Sequence, residues 1–161
     1  MQKTNYYANT SLSCRPELVK WISTFNWTFF VTLSFRKPIT GTTSLKHFRR
    51  LLWYIANKNK VKVRAFAGVE WYQDRQGKHI HALIGYNGNN TFLSYHKWWY
   101  EHYGLDKWEV YDHSRGAGYY VTKYILKEDS DSATWDVFVE YPRAYDLTKR
   151  IVFSRKKVID K

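Results

Sequence analysis

Cysteine, proline and acidic residues are all scarce in this 161-residue chain, and each scarcity removes a class of protein. The one cysteine, Cys14, can close no internal disulfide and build no thiolate metal cage, which suits a reducing compartment and makes the cytoplasm the expected location. Three prolines, Pro16, Pro38 and Pro142, stand near element edges, and no Pro/Gly-rich tract or internal repeat divides the chain. No stretch reaches the ~18 apolar residues of a membrane helix, and Met1 to Thr10 lacks the apolar segment of an export signal. No Gly-x-x-x-x-Gly-Lys-Ser/Thr loop is present, so nucleotide hydrolysis of that type is not expected. At a length within the ~100–200 residues of one domain, a single domain over residues 1–161 is expected.

Positive charge and aromatic rings are abundant. Lys and Arg number 26 against 14 Asp and Glu, a formal charge of +12, alongside 8 Trp, 14 Tyr and 9 Phe. Cations displace counterions from phosphates and flat rings stack on unpaired bases, so the combination points to single-stranded nucleic acid. The charge is segregated. Arg36 to Arg64 holds nine basic and no acidic residues, whereas Glu128 to Glu140 holds five acidic and no basic ones. Within the basic stretch, Lys46, Arg49 and Arg50 follow helical spacing and are candidate DNA contacts; a solvated helix face is the plainer account of any one such run.

The hydrophobic periodicity predicts a mixed order of elements. Helices are expected at Arg15–Phe25, Thr43–Asn57, Thr91–Tyr103 and Gly116–Lys127, and strands at Trp27–Phe35, Arg64–Tyr72, Lys78–Tyr86, Trp108–Asp112, Trp135–Tyr141 and Ile151–Ser154. The second and third strands form a hairpin through Gln73 to Gly77. The fold class is α+β, an antiparallel sheet with helices packed on it.

On the third strand, His79 and His81 project from one face. Glu70 shares a face with Phe66, Gly68 and Tyr72, and a four-residue loop pairs it directly with His79, where cross-strand Cβ atoms stand ~5 Å apart. A three-residue loop without a bulge at Gly77 sets Glu70 opposite Ile80 on the wrong face. Two imidazoles and a carboxylate leave coordination positions open, as catalysis requires, and without thiolate the donors suit Mn²⁺ or Mg²⁺. Surface histidines hydrogen-bonded to Glu70 are the alternative. A zinc site drawing on His102 or His113 has no support in their spacing, and His47 and His96 are expected on helix surfaces. Phe30, Thr32 and Ser34 share a strand face that can lie beneath the metal group.

In Gly118 to Lys127, successive residues advance ~100°, placing Tyr120, Lys123, Tyr124 and Lys127 on one stripe. A phenol is a weak nucleophile at its usual pKa of ~10, and nearby ammonium groups favour the phenolate and neutralise phosphate. An amphipathic surface produces the same stripe.

The order FVTLSF, HIHAL, YYVTKYILK, spanning about Trp27 to Lys127, resembles the HUH endonucleases, in particular the rolling-circle replication initiators of plasmids and small viruses and phages. The resemblance implies a ferredoxin-like nuclease fold without a helicase domain, a divalent metal on Glu70, His79 and His81, and Tyr120 as nucleophile assisted by Lys123. Tyr124 matches the second tyrosine of two-tyrosine members, Lys127 is a DNA-contact candidate beside it, and Tyr119 is the weaker nucleophile candidate. It further implies single-stranded origin DNA as substrate and a host helicase and polymerase as partners. A small HUH transposase shares the motif order, and a non-catalytic single-strand-binding module accounts for the charge and rings alone.

Overall fold

The computed structural model describes residues 15–74, 76–88, 91–121, 123 and 134–141. Its elements follow the order α1 (Arg15–Ile22), β1 (Phe29–Leu33), α2 (Gly41–Asn59), β2 (Val63–Trp71), β3 (Lys78–Gly85), α3 (Leu93–His102), β4 (Asp106–Val110), α4 (Gly116–Tyr120) and β5 (Thr134–Tyr141). The strands make one sheet in the order β4-β1-β3-β2-β5, with antiparallel pairing throughout. This is the expected α+β class. The strand expected at Ile151–Ser154 and, apart from Lys123, the distal half of the Gly116–Lys127 helix lie outside the described residues.

Element ends differ from the periodic expectation where local hydrogen bonds intervene. Helix α2 starts at Gly41 because the Thr40 hydroxyl accepts the Thr43 N–H at 3.2 Å, satisfying a donor the first turn leaves open. It ends where Lys60 enters the left-handed region at φ 57° and returns its N–H to the Ala56 carbonyl. Trp27 precedes β1, its indole N–H donating to the Ile22 carbonyl at 3.1 Å. The fourth strand begins at Asp106, two residues earlier than its alternation suggests, because β1 pairs with it from Leu33↔Asp106 to Phe29↔Val110.

The alternation of β1, β2 and β3 sends neighbouring residues into two separate apolar clusters. On one face Phe29, Val31, Leu33, Ala65, Ala67, Ile80, Ala82 and Ile84 pack with Leu45, Phe48, Leu52 and Ile55 of α2 and with Tyr95 and Trp99 of α3. On the other, Phe30, Phe66 and Leu83 pack with Ile22 of α1 and with Tyr120 and Val121 at the end of α4. At ~25 cal/mol per Å² of buried apolar surface, the first and larger cluster supplies most of the hydrophobic stabilisation. Among the described residues, no helix is long and apolar enough to cross a membrane.

The hairpin joining β2 to β3 fixes the register on which the rest depends. The Tyr72 N–H donates to the Gly77 carbonyl at 3.1 Å, and Gly77 adopts φ 111°, a conformation that side-chain-bearing residues rarely take. The ladder then runs through Trp71↔Lys78, Glu70↔His79 and Gly68↔His81.

Candidate metal centre

The register places Glu70, His79 and His81 on the sheet face that also carries Phe30, Phe66 and Leu83. The three side chains converge on one point through single atoms. His79 Nε2 lies 2.9 Å from His81 Nε2, while Glu70 Oε2 is 3.2 Å from the first and 3.1 Å from the second. Three ligand atoms of one ion, each ~2.0–2.2 Å from it, form a triangle of about this size, so the donor set fits a divalent metal. Among the described residues it is the one His/Cys/Asp/Glu group arranged for an ion. Their side chains are only 11–13% exposed, which keeps bulk water from diluting the field of a bound cation.

His81 is oriented from behind. Thr32 Oγ1 sits 3.1 Å from His81 Nδ1, the nitrogen remote from the convergence point. Such a partner fixes which nitrogen is presented to a metal. Below it, the Phe30 ring stacks on the His81 ring at 5.8 Å and 11°. His79 is flanked by the Tyr72 ring at 4.7 Å and 29°. Thr32 pairs with His81 across β1 and β3, so the face shared by Phe30 and Thr32 does lie beneath the group. Ser34 takes a different part, its carbonyl accepting the Trp99 indole N–H. Tyr72 as a wall of the site is what sequence reasoning passed over: its face was legible from the period of two, but the turn that folds its ring back onto His79 was not.

The tyrosines of α4 occupy two environments. Tyr120 is 6% exposed, its ring 4.9 Å from Phe30 and 5.1 Å from Tyr111, and its hydroxyl accepts the Asp112 N–H at 3.0 Å. Phe30 thus touches both His81 and Tyr120, linking the metal group to the helix through one ring. Tyr119 faces outward, where its phenol oxygen receives Lys123 Nζ and Arg115 Nη1, each at 2.9 Å. The Lys123 ammonium thus reaches Tyr119, its i−4 neighbour. The loop before α4 is itself ordered by charge: Asp112 accepts from the Ser114 hydroxyl and backbone N–H and faces Arg115, which together hold its carboxyl below the usual range. Burial raises the Tyr111 phenol, with Tyr120 and Asp112 adding to the shift. Tyr124 and Lys127 lie outside the described residues.

The cations of α2 are not brought to this group. Helix α2 packs on the opposite face of the sheet, where Arg49 forms an ion pair with Asp136 of β5 at 3.3 Å and Arg50 donates to the Tyr103 hydroxyl at 3.4 Å. Lys46 is exposed on the same helix. Of the remaining histidines, His96 is on the surface and pairs with Asp106 at 2.8 Å, and His102 meets the Trp98 carbonyl at 2.7 Å. His47, expected on a helix surface, is half-buried against Tyr103, whose ring centroid is 4.4 Å away.

A family model described as Replication-associated protein ORF2 matches residues 28–129, which run from just before β1 past α4 and include Glu70, His79, His81 and Tyr120. No curated protein and no solved structure matches the chain.

Proposed function

This chain belongs to the Replication-associated protein ORF2 family, and from that premise we propose that it initiates rolling-circle replication by nicking and rejoining a single DNA strand through a tyrosine. The observation that carries the proposal is the convergence of Glu70, His79 and His81 within hydrogen-bonding distance of one another on the sheet face that α4 covers.

In this reading Glu70, His79 and His81 hold Mn²⁺ or Mg²⁺. An ion held there would supply Lewis-acid polarisation of the scissile phosphate. Thr32 and Phe30 keep the His81 ring aimed at that position. The Tyr120 oxygen attacks phosphorus; the bond to the 3′-oxygen breaks, the phenol proton ends on that oxygen, and a 5′-phosphotyrosine link and a free 3′-hydroxyl result. The Asp112 N–H, which donates to the Tyr120 oxygen, holds the phenol in place and leaves a lone pair on it for the attack. Lys123 offsets phosphate charge, and Tyr124 serves as the second tyrosine that takes the strand in the return reaction. The 3′-hydroxyl is the primer for a host polymerase, and a host helicase supplies unwinding. Lys46, Arg49, Arg50 and Lys127 contact DNA outside the cleavage point; for the first three this means strand passing over the α2 side of the sheet.

A second reading has one observation in its favour. Two cations at 2.9 Å from the Tyr119 oxygen stabilise a phenolate there, which makes Tyr119 the alternative nucleophile. One experiment separates the readings: incubation with a randomised single-stranded DNA library and Mn²⁺, followed by a denaturing gel. A covalent adduct is expected with the wild type, none with EDTA and none with Tyr120→Phe, while Tyr124→Phe retains the adduct and loses rejoining. Loss of the adduct in Tyr119→Phe with retention in Tyr120→Phe transfers the role to Tyr119. The absence of any adduct from the wild type removes the nuclease proposal.

A further inference from the structure

At the end of the sheet, the segment following β1 meets the β2–β3 turn and encloses a small pocket next to the metal group. Lys37 and Pro38 form one side, and Tyr72, Gly77 and Lys78 the other. The two sides are held close: a Cβ on Gly77 would lie 3.4 Å from Pro38 Cα. Tyr72 is common to both places, since it lines the pocket and its ring stacks on His79. Among the described residues, no acidic side chain lines the pocket. Arg36 also borders it, but its guanidinium donates to the carbonyls of Tyr100 and Glu101, leaving Lys37 and Lys78 as the lining cations.

Two further features bear on what fits. The volume is about 90 Å³, well below the ~300 Å³ at which small-molecule sites begin. A phosphate group suits that space, whereas a nucleobase with its sugar does not. Beside it, Trp71 is 52% exposed, an uncommon placement for the largest apolar side chain, and the Lys78 ammonium lies 4.3 Å from its ring centroid.

We infer that this corner seats one nucleotide of the bound strand, with its backbone phosphate in the pocket between Lys37 and Lys78 and its base stacked on Trp71. Trp71 and Lys78 are cross-strand partners one rung beyond Glu70 and His79 and project from the other face of the sheet, the side α2 covers, so a strand held there passes round the hairpin end of the sheet. The inference rests on the reading that the chain takes single-stranded DNA, and names where one nucleotide is held.

The test is equilibrium binding of the full chain in EDTA, followed by fluorescence anisotropy, to a labelled oligothymidine and to an abasic sugar-phosphate strand of equal length. On oligothymidine, Trp71→Ala is expected to weaken binding roughly 5- to 100-fold, the range of one lost stacking contact, and Trp71→Phe to restore most of it. On the abasic strand Trp71→Ala should bind as the wild type does. Lys78→Gln should weaken both strands and reduce the slope of log affinity against log salt by about 0.7, one phosphate's share on a single strand. Trp71→Ala and Lys78→Gln binding both strands like wild type overturns the nucleotide seat alone. A wild type that binds no single strand overturns it together with the reading it rests on.

Discussion

The two faces of the sheet are built from the same strands, yet they do different things. Ile80, Ala82 and Ile84 are fully buried under α2 and α3, while His79 and His81, their immediate neighbours, meet Glu70 on the other side. One face is closed and apolar; the other is apolar only around Phe30, Phe66 and Leu83 and polar where the strands run out toward the hairpin. The lesson is that a period of two lets a short strand carry a core and a metal group at once. The stability that the polar face forgoes by burying a carboxylate and two imidazoles is supplied a few ångströms away by the other.

If that division is right, adjacent substitutions should fail in different ways. Ile80→Ala removes a fully buried side chain from the closed face and should lower the unfolding free energy by about 2–5 kcal/mol in denaturant titrations, while the molecules that remain folded keep their metal affinity. His81→Ala should do the reverse: adduct formation falls by more than ~100-fold, exceeding the usual effect of changing a residue behind a ligand, with a much smaller change in denaturation midpoint. Equal destabilisation by both would break the comparison. Thr32→Val keeps shape and removes the group opposite His81 Nδ1; Mn²⁺ affinity should drop about 10–100-fold, with adduct formation recovering at high Mn²⁺.

The smallest effect concerns a histidine on the closed side. Burial, together with Arg50 and Lys46, pushes the His47 imidazole below 6.5. The folded chain then binds fewer protons than the unfolded one, so the stability His47 contributes is present above pH ~6.5 and lost as pH falls through its lowered value. Between about pH 7.5 and pH 5.5 the melting temperature of the wild type should therefore fall further than that of His47→Gln.

Much of this division was legible in the sequence. The alternation in WTFFVTLSF and HIHAL assigns each residue to a face without any tertiary information, and of the loop lengths the sequence left open, the four-residue loop from Gln73 to Gln76 gives the register found, Glu70 opposite His79. What the period cannot supply is which helix each face receives. The basic spacing of Lys46, Arg49 and Arg50 is correct for a helix, but which side of the sheet α2 covers is decided by Leu45, Phe48 and Leu52 packing on Ile80 and Ala82, a long-range choice. The α4 stripe shows the same limit. Helical spacing groups Tyr120 with Lys123; it does not reveal that Tyr120 packs inward against Phe30 and Tyr111 or that the Lys123 ammonium reaches Tyr119. The metal group was readable because its partners are set by strand register, whereas the cations around it are positioned by tertiary packing.

The most direct test of the account is calorimetric titration of Mn²⁺ into the full chain and into the chain with Glu70, His79 and His81 all replaced by Ala. The account predicts one ion bound per wild-type chain and none bound specifically by the variant, with the closed face keeping the variant folded. Unchanged Mn²⁺ binding by a folded variant would contradict it.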